Sequence, residues 1–216
     1  MPVPKKIDIV SVVAVLLPEF GIGCQGGLPW RLSKEMKYFR QVTSNTFDSN
    51  KQNAVIMGRK TWESIPLKFR PLPNRINVVI SRSFDSQLTQ DRLSDDKQYY
   101  KINSLTSGIS QLKEQLGENL ERIYIIGGGQ IYNDGLKISD NLLITKLEIE
   151  TTELEIPKMD TFLNIEQIQE EFIESKSELK DFLPSKVELP EPSTQGEYIE
   201  REKGYKFQYT LYTKSH

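Results

Sequence analysis

Short apolar segments alternate with amphipathic segments along the first two thirds of the chain. The apolar segments are rich in Val and Ile, which predicts buried strands at residues 7–17, 54–57, 76–81, 123–126 and 142–146. Helical spacing predicts four helices, at 33–42 with Ser33 as N-cap, at 60–65, from Ser104 as N-cap to 116, and at 130–136. Alternating strands and helices favour an α/β fold with helices flanking a mainly parallel sheet.

The last third of the chain has a different pattern. Residues 205–212 alternate aromatic and polar side chains, which predicts an antiparallel strand near an edge of the sheet, so that the sheet is mixed. Residues 148–202 are acidic and proline-containing, and apart from an amphipathic stretch at 165–172 they suggest long surface loop. We expect one domain over residues 1–216, with a loop-rich acidic insertion at about 148–202.

Composition restricts the chemistry that this chain can perform. The single cysteine, Cys24, excludes an internal disulfide and a multi-cysteine zinc site, and the single histidine, His216, is terminal. Proton chemistry would therefore use Asp, Glu, Tyr, Lys or water, and we expect no metal. The formal net charge of −2 does not indicate binding to nucleic acid or to an anionic membrane. The first apolar run contains Asp8 and Ser11 and is too short to span a bilayer, so a cytoplasmic protein is expected.

Three predicted strand ends carry residues suited to phosphate groups. Gly127–Gly129 joins a strand to a helix, where backbone N–H groups can approach a pyrophosphate, although a tight turn would also use glycine. Cations follow Gly58 at the start of the next predicted helix, where they oppose its dipole by about 0.3–1 kcal/mol each, so an anion is expected there. A third strand ends in a hydroxyl and a cation. The polar residues that follow the second and third of these strands are Arg59, Lys60, Thr61, Ser81, Arg82 and Ser83. Alone, each of these residues is more often an ordinary solvated residue.

The segment at 21–26 matches the G-x-G-x-x-G pattern, but its context does not fit a dinucleotide fingerprint. Pro29 prevents a helix from opening inside the motif, and no strand ending in an acid follows about 20 residues later. A mobile glycine-rich loop is the preferred interpretation, and such a loop can act as a lid beside a site.

Glu35 and Arg75 are the candidates for substrate chemistry. Glu35 shares a helix face with Phe39 and Val42, and partial desolvation there would raise its pKa towards useful proton transfer. A simple interaction with the helix dipole is the alternative. Arg75 precedes a strand and could hold a carboxylate, or it could be a surface residue of a proline-rich turn.

Taken in order, these segments resemble the dihydrofolate reductases, especially the monofunctional fungal form. The resemblance runs over about residues 9–147, and no thymidylate synthase half follows. The segments that carry it are 12–15, 21–23, 28–30, Glu35 with 38–39, 55–62, 64–66, 70–77, 81–82, 125–128 with 131–132, and Thr145. It implies that the chain reduces 7,8-dihydrofolate to tetrahydrofolate with NADPH, for one-carbon metabolism. It also implies an oxidoreductase that is monomeric and is inhibited by antifolates.

The resemblance also implies roles for individual residues. Glu35, supported by Thr145, would bind the pteridine amino group and N3, and water organised by Glu35, Leu28 and Trp30 would protonate N5. Arg75 would hold the glutamate α-carboxylate. The implied substrate contacts are Val12, Val13, Glu35, Met36, Phe39, Arg40, Ser64, Ile65, Phe69, Leu72, Arg75, Ile126, Tyr132 and Thr145.

The implied cofactor contacts lie in four parts of the chain. Ala14 and the loop formed by Gly21, Ile22, Gly23, Cys24, Gln25, Gly26 and Gly27 would cover the nicotinamide. The pyrophosphate would lie on Gly127, Gly128, Gly129, Gln130, Ile131 and Tyr132, with a cis peptide between Gly127 and Gly128. The adenosine phosphate end would contact Arg59, Lys60, Thr61, Ser81, Arg82 and Ser83.

Two other functions are compatible with parts of this pattern. A reductase of the pyrimidine intermediates in riboflavin synthesis would share the cofactor residues but lack the combination of Glu35 with Arg75. A non-catalytic regulator that binds nucleotides or RNA would explain the glycines and arginines, but not an acid on an apolar helix face.

Overall fold

The computed structural model describes residues 6–216, which form twelve strands, six α-helices and two short 3₁₀ helices at Leu67–Phe69 and Gly117–Asn119. The strands are β1 Asp8–Leu16, β2 Gly21–Gly23, β3 Gln52–Gly58, β4 Ile76–Ile80, β5 Thr89–Ser94, β6 Lys97–Ile102, β7 Leu120–Ile125, β8 Asn141–Ile149, β9 Thr161–Phe162, β10 Phe172–Glu174, β11 Tyr198–Glu202 and β12 Tyr205–Lys214. The helices are α1 Ser33–Ser44, α2 Arg59–Ser64, α3 Leu105–Leu116, α4 Gly129–Leu136, α5 Ile165–Glu171 and α6 Leu179–Phe182.

The strands form a mixed sheet with a parallel centre. Its main order is β10-β12-β8-β1-β7-β3-β4-β6-β5, and all neighbours from β8 to β6 are parallel. The flanking pairs, including β12 with β8, are antiparallel. The predicted α/β fold with a mixed, mainly parallel sheet is confirmed. The C-terminal strand lies next to the edge as expected, and the short strands β10 and β11 pair with its outer side.

Apolar side chains of the central strands point to both faces of the sheet. Along β1, Val10 and Val12 pack in one core cluster with the α1 residues Tyr38 and Val42. Val13 belongs to a separate cluster on the other face, with residues of α4 and α5. This alternation is the period of a strand, and it lets helices cover both faces of a sheet that is buried on each side.

The start of α1 differs from the prediction. Ser33 was expected to cap this helix, but Leu32 occupies the N-cap position and no side chain of the cap accepts a hydrogen bond. Leu32 is almost fully buried in the core, which sets the start of the helix and makes Ser33 its first helical residue. In contrast, Ser104 does cap α3, because its hydroxyl accepts a hydrogen bond from the amide of Ser107 at 3.2 Å.

The acidic stretch after β8 contains more structure than its composition suggested. It includes β9, α5, β10, α6 and β11, and α5 coincides with the predicted amphipathic stretch. Leu163, Ile168 and Phe172 from this stretch are buried against the central strands. Short elements that contribute to the core therefore interrupt the expected long surface loop.

No helix in residues 6–216 has the length and apolar character needed to cross a membrane.

Candidate active site

Two strand-to-helix junctions meet at the carboxyl edge of the parallel sheet. The amide of Gly58, the last residue of β3, donates a hydrogen bond of 2.8 Å to the carbonyl oxygen of Gly127, after β7. A Cβ atom on Gly128 would lie 3.3 Å from Oγ1 of Thr61, so the first turns of α2 and α4 are close neighbours. The free N–H groups of two helix N-termini are thus placed side by side, which is an arrangement suited to a pyrophosphate.

The glycines between β7 and α4 leave little room for side chains. Gly127 has φ +112°, and a Cβ atom there would lie 2.8 Å from the Tyr132 ring. A Cβ atom on Gly129 would overlap the side chain of Thr161. The peptide between Gly127 and Gly128 is cis, as the resemblance implied. These positions require glycine because of the close packing. Because glycine has no side chain, a ligand at the sheet edge can approach the backbone closely.

Basic side chains surround this edge. Arg59 and Lys60 are exposed at the start of α2, and Arg59 Nε lies 3.6 Å from a Glu63 carboxylate oxygen. Gly58 and Ile80 are paired on adjacent parallel strands, so the residues that follow them start from neighbouring points. Arg82 is exposed, and in the described part of the chain no carboxylate forms a salt bridge with Lys60 or Arg82. Uncompensated cations beside helix N-termini fit a phosphate-bearing cofactor.

The glycine-rich segment after β2 forms a compact turn and no helix, which confirms that it is not a dinucleotide fingerprint. Cys24 and Gly27 exchange two backbone hydrogen bonds of 2.9 and 3.0 Å around Gln25 and Gly26, whose φ angles are positive. The amide of Gln25 donates a further hydrogen bond to Oδ2 of Asp160 at 2.7 Å. The acidic stretch therefore holds this turn from outside.

Glu35 is a buried carboxyl group in the first turn of α1, with only 8% of its surface exposed. Burial raises its pKa from 4.5 to about 7. Burial first, and then the charge of Glu35, raises the pKa of the Tyr132 and Tyr209 phenols. An acid that is half ionised near neutral pH can donate or accept a proton there.

Thr145, Trp30 and Leu28 are placed around the same helix. Thr145 on β8 is paired with Ala14 on one side and Tyr209 on the other, and paired residues point to the same face of a sheet. That face is the one covered by α1, since Tyr38 of α1 stacks on Tyr209 with ring centroids 3.9 Å apart. Trp30 is buried and its Nε1 has no hydrogen-bond partner in residues 6–216, whereas Leu28 is half exposed.

Most of the predicted apolar contacts lie together. One core cluster contains Val12, Trp30 and Ile126, with Ala14, Phe39, Ile65 and Leu72 packed against it. Val13 faces the opposite side of the sheet, so its contribution to a pocket on this face is restricted to its backbone. Met36, Phe69, Arg40 and Ser64 are exposed, and the Ser64 hydroxyl donates a hydrogen bond to the Thr61 carbonyl oxygen.

Tyr132 connects the two halves of the site. Its hydroxyl donates a hydrogen bond of 2.7 Å to the carbonyl oxygen of Val12 on β1, and its ring lies against Gly127. The residue therefore links the glycine turn, where a cofactor would bind, to the strand beside Glu35.

Arg75 is a buried cation without an anionic partner. Its Nε donates to the Pro73 carbonyl oxygen at 2.9 Å, and its Nη1 donates to Oγ1 of Thr43 at 2.9 Å. Burial, and next the charge of Arg40, lowers its pKa to about 10. No carboxylate in the described ranges forms a salt bridge with it, so an external anion would complete the site.

Three contributors were not found from the sequence. Tyr38 and Tyr209 enclose Glu35, and Glu202 binds the start of α1 from a strand 169 residues away. No local motif marks these residues, because their role arises from packing between distant elements. The sequence predicted no metal, and residues 6–216 contain no group of three or more side chains able to hold a metal ion.

Comparisons with known proteins agree with this geometry. The family model for dihydrofolate reductase matches residues 8–183. Relatives include dihydrofolate reductase of Saccharomyces cerevisiae, 54% identical and covering 97% of this chain and 98% of that protein, and of Candida albicans, 40% identical and covering 97% and 99%. The solved structure of Schistosoma mansoni dihydrofolate reductase is similar, with TM-score 0.67 and 30% identity over 97% of this chain and 99% of that one. The chain therefore belongs to the dihydrofolate reductase family.

Proposed function

We propose that this chain reduces 7,8-dihydrofolate to 5,6,7,8-tetrahydrofolate with NADPH, and that Glu35 is the acid of the site. The observation that carries the proposal is the burial of Glu35, with a pKa of about 7, on the helix that covers the sheet face carrying Thr145. When bound, the cofactor supplies the hydride. The residues of the chain bind and orient the two molecules, exclude water and deliver the proton.

Glu35 has two tasks in this proposal. Its carboxylate accepts hydrogen bonds from the pteridine amino group and N3, and it helps to organise the water that protonates N5. Trp30 offers a buried, unpartnered Nε1–H that can orient this water, and Leu28 shields it. Thr145 lies on the sheet face below α1 and supports the same end of the pteridine. A buried carboxyl with a raised pKa performs such a transfer without histidine or metal.

The apolar cluster around Glu35 supplies the walls of the substrate site. Phe39, Ile65 and Leu72 pack on this cluster, and Val12 with Ile126 forms its floor. Exposed apolar side chains, such as Met36 and Phe69, are free to cover the aryl group of a substrate. Arg40, Ser64, Val13 and Tyr132 complete the proposed contacts. Arg75 holds the α-carboxylate, which would supply the anion that this buried cation lacks.

The cofactor is proposed to lie along the carboxyl edge of the sheet. The pyrophosphate contacts the backbone of Gly127, Gly128 and Gly129 with Gln130 and Ile131, where two helix N-termini meet. The exposed or partly exposed cations and hydroxyls near α2 and β4 suit the extra phosphate of NADPH; these are Arg59, Lys60, Thr61, Ser81, Arg82 and Ser83. Ala14 and the turn at 21–27 cover the nicotinamide.

The remaining proposals concern the setting of the enzyme. They are a single domain over residues 1–216, a monomer, a cytoplasmic location, inhibition by antifolates and no requirement for nucleic acid or a membrane. The position of β10–β11 on the sheet supports the single domain, because residues beyond 148 complete the same core.

The test is NADPH oxidation by the purified chain with and without dihydrofolate, repeated with NADH. Dihydrofolate-dependent oxidation with a preference for NADPH supports the proposal. Tight NADPH binding without turnover would instead indicate a regulator, and turnover only with the pyrimidine intermediates of riboflavin synthesis would indicate the related reductase.

A further inference from the structure

The hairpin of β11 and β12 holds the segment that connects Trp30 to Glu35. Its contacts fall on the backbone and side chains of residues 31–34. Lys203 Nζ donates to the Arg31 carbonyl oxygen at 3.0 Å, and Lys34 Nζ donates to Oε2 of Glu200 at 2.8 Å. The Tyr209 hydroxyl approaches the Lys34 carbonyl oxygen at 3.5 Å. The segment between two proposed active-site residues is therefore fixed from the far end of the chain.

Glu202 makes the central contact of this set. Its Oε1 accepts a hydrogen bond from the Ser33 amide at 2.9 Å, and its Oε2 accepts one from the Lys34 amide at 3.0 Å. These amides belong to the first turn of α1, where N–H groups have no partner within the helix, and α1 has no side-chain cap of its own. A carboxylate at this position also interacts favourably with the positive end of the helix dipole.

The geometry of the hairpin turn delivers Glu202 to this position. Glu202 pairs with Tyr205 across a two-residue turn in which Lys203 and Gly204 have φ of 51° and 79°. Two positive φ values define the tight turn that matches the twist of paired strands. The Gly204 carbonyl oxygen accepts a hydrogen bond from the Glu150 amide at 2.9 Å. Glu202 is thus fixed by its backbone before its side chain reaches α1.

We infer that Glu202 is a positioning residue for the reduction, which replaces the missing N-cap of α1 and keeps the Glu35 carboxyl buried in the site. The inference rests on the role of Glu35 in the proposed function. Without the two hydrogen bonds, the first turn of α1 would fray, and Glu35 in that turn would gain contact with water.

Glu202 acts through the position of Glu35 and not through its own charge. Burial alone raises the pKa of Glu35, and the groups that face it from α1, α4 and β12 are the neutral phenols of Tyr38, Tyr132 and Tyr209. Of the charged groups around Glu202, Lys34, Glu200 and Lys203 form their contacts at the exposed start of the helix, whereas the Arg201 guanidinium pairs with Glu150. Fraying of that turn would let the pKa of Glu35 fall towards 4.5.

The experiment compares Glu202→Ala and Glu202→Gln with the control Glu148→Ala. Glu202→Gln keeps the shape and one acceptor oxygen, so it preserves the test if the alanine variant does not fold. Glu148→Ala removes a carboxylate from the same end of the sheet, where Glu148 pairs with Lys206 and not with α1. Amide hydrogen exchange at Ser33 and Lys34 reports the cap, and the pH dependence of dihydrofolate reduction reports the pKa of Glu35.

We expect faster exchange at both amides in Glu202→Ala, and a high-pH limb of activity shifted down by about half a pH unit or more. Glu202→Gln should lie between this variant and wild type, and Glu148→Ala should match wild type. General destabilisation would reduce activity without moving the midpoint, so an unmoved midpoint, or an equal shift in Glu148→Ala, would overturn the inference. If the high-pH limb of activity seen in wild type persists in Glu35→Gln, the role of Glu35 is overturned, and this inference with it. If the limb is lost in Glu35→Gln but is the same in wild type and the Glu202 variants, only the role of Glu202 is overturned.

Discussion

The Nη1 atom of Arg75 donates a hydrogen bond to Oγ1 of Thr43 at 2.9 Å, which ties the residue before β4 to the last turn of α1. The guanidinium is oriented by two neutral acceptors, Thr43 and the Pro73 carbonyl, and its charge is left for an external partner. The helix that carries Glu35 near its start thus contacts the proposed carboxylate-binding residue near its end.

Arg75→Met should raise the KM for dihydrofolate about 100-fold, because a bidentate charge-assisted pair contributes about 3 kcal/mol. The dissociation constant of NADPH should change little, since Arg75 lies away from the α2 and α4 junctions. Steady-state kinetics and cofactor titration measure both quantities. A dihydrofolate analogue without the α-carboxylate provides the control, and if Arg75→Met weakens that analogue as much as dihydrofolate, the assigned contact is wrong.

Arg82→Ala should weaken NADPH binding by about tenfold or more, because the exposed guanidinium is proposed to hold the extra phosphate. NADH, which lacks this phosphate, should be almost unaffected. Arg92→Ala removes an exposed arginine from β5 and serves as the charge-matched control. Fluorescence titrations of wild type and both variants with both cofactors give the six dissociation constants that are needed, and an equal loss for NADPH and NADH would remove the assignment.

Gly127→Ala should destabilise the protein and weaken NADPH. An alanine there would have to adopt φ +112°, and its Cβ would lie 2.8 Å from the Tyr132 ring. The hydroxyl of Tyr132 in turn donates a hydrogen bond to the Val12 carbonyl oxygen. Gly196→Ala is the matched control, because Gly196 has φ +78° and no neighbour within 4 Å of a Cβ atom. Strain alone should cost the control about 1 kcal/mol of unfolding free energy, and Gly127→Ala should cost more. Equal losses in urea unfolding would show that the Tyr132 contact has no effect.

The burial of Glu35 should make stability depend on pH. Between its unfolded pKa of 4.5 and its folded pKa of about 7, the native state holds a proton that the unfolded state has released. The free energy of unfolding should therefore fall as pH rises through this window, by about 3 kcal/mol in total. Glu35→Gln lacks this titration, so the stability difference between wild type and variant should shrink or reverse above pH 7. A difference that stays constant with pH would show that Glu35 is not desolvated.

The elements that the sequence predicted well are those with strong local patterns. The β-branched runs became β1, β3, β4, β7 and β8, and the glycine and cation positions came together at one sheet edge because parallel strands place their carboxyl ends there. The hairpin of β5 and β6 was missed since almost no position along β5 is buried, so no apolar alternation marks it.

Features that depend on distant contacts were not predictable from local patterns. The Ser33 cap was wrong because buried Leu32 sets the start of α1 and Glu202 supplies the acceptors. The enclosure of Glu35 by Tyr209 depends on the register of β12 against β8, which no short segment encodes. The burial of Glu35 was predicted because its spacing to Phe39 and Val42 places it on the apolar face of the helix.

The most direct test of the account is the single-turnover rate of hydride transfer to dihydrofolate, measured across pH for wild type and Glu35→Ala. The account predicts a wild-type rate that declines above about pH 7, and a loss of about 10²–10⁴-fold in the variant at neutral pH with NADPH affinity nearly unchanged. A variant that retains the full rate near neutral pH would contradict the role of Glu35 as the acid of the site.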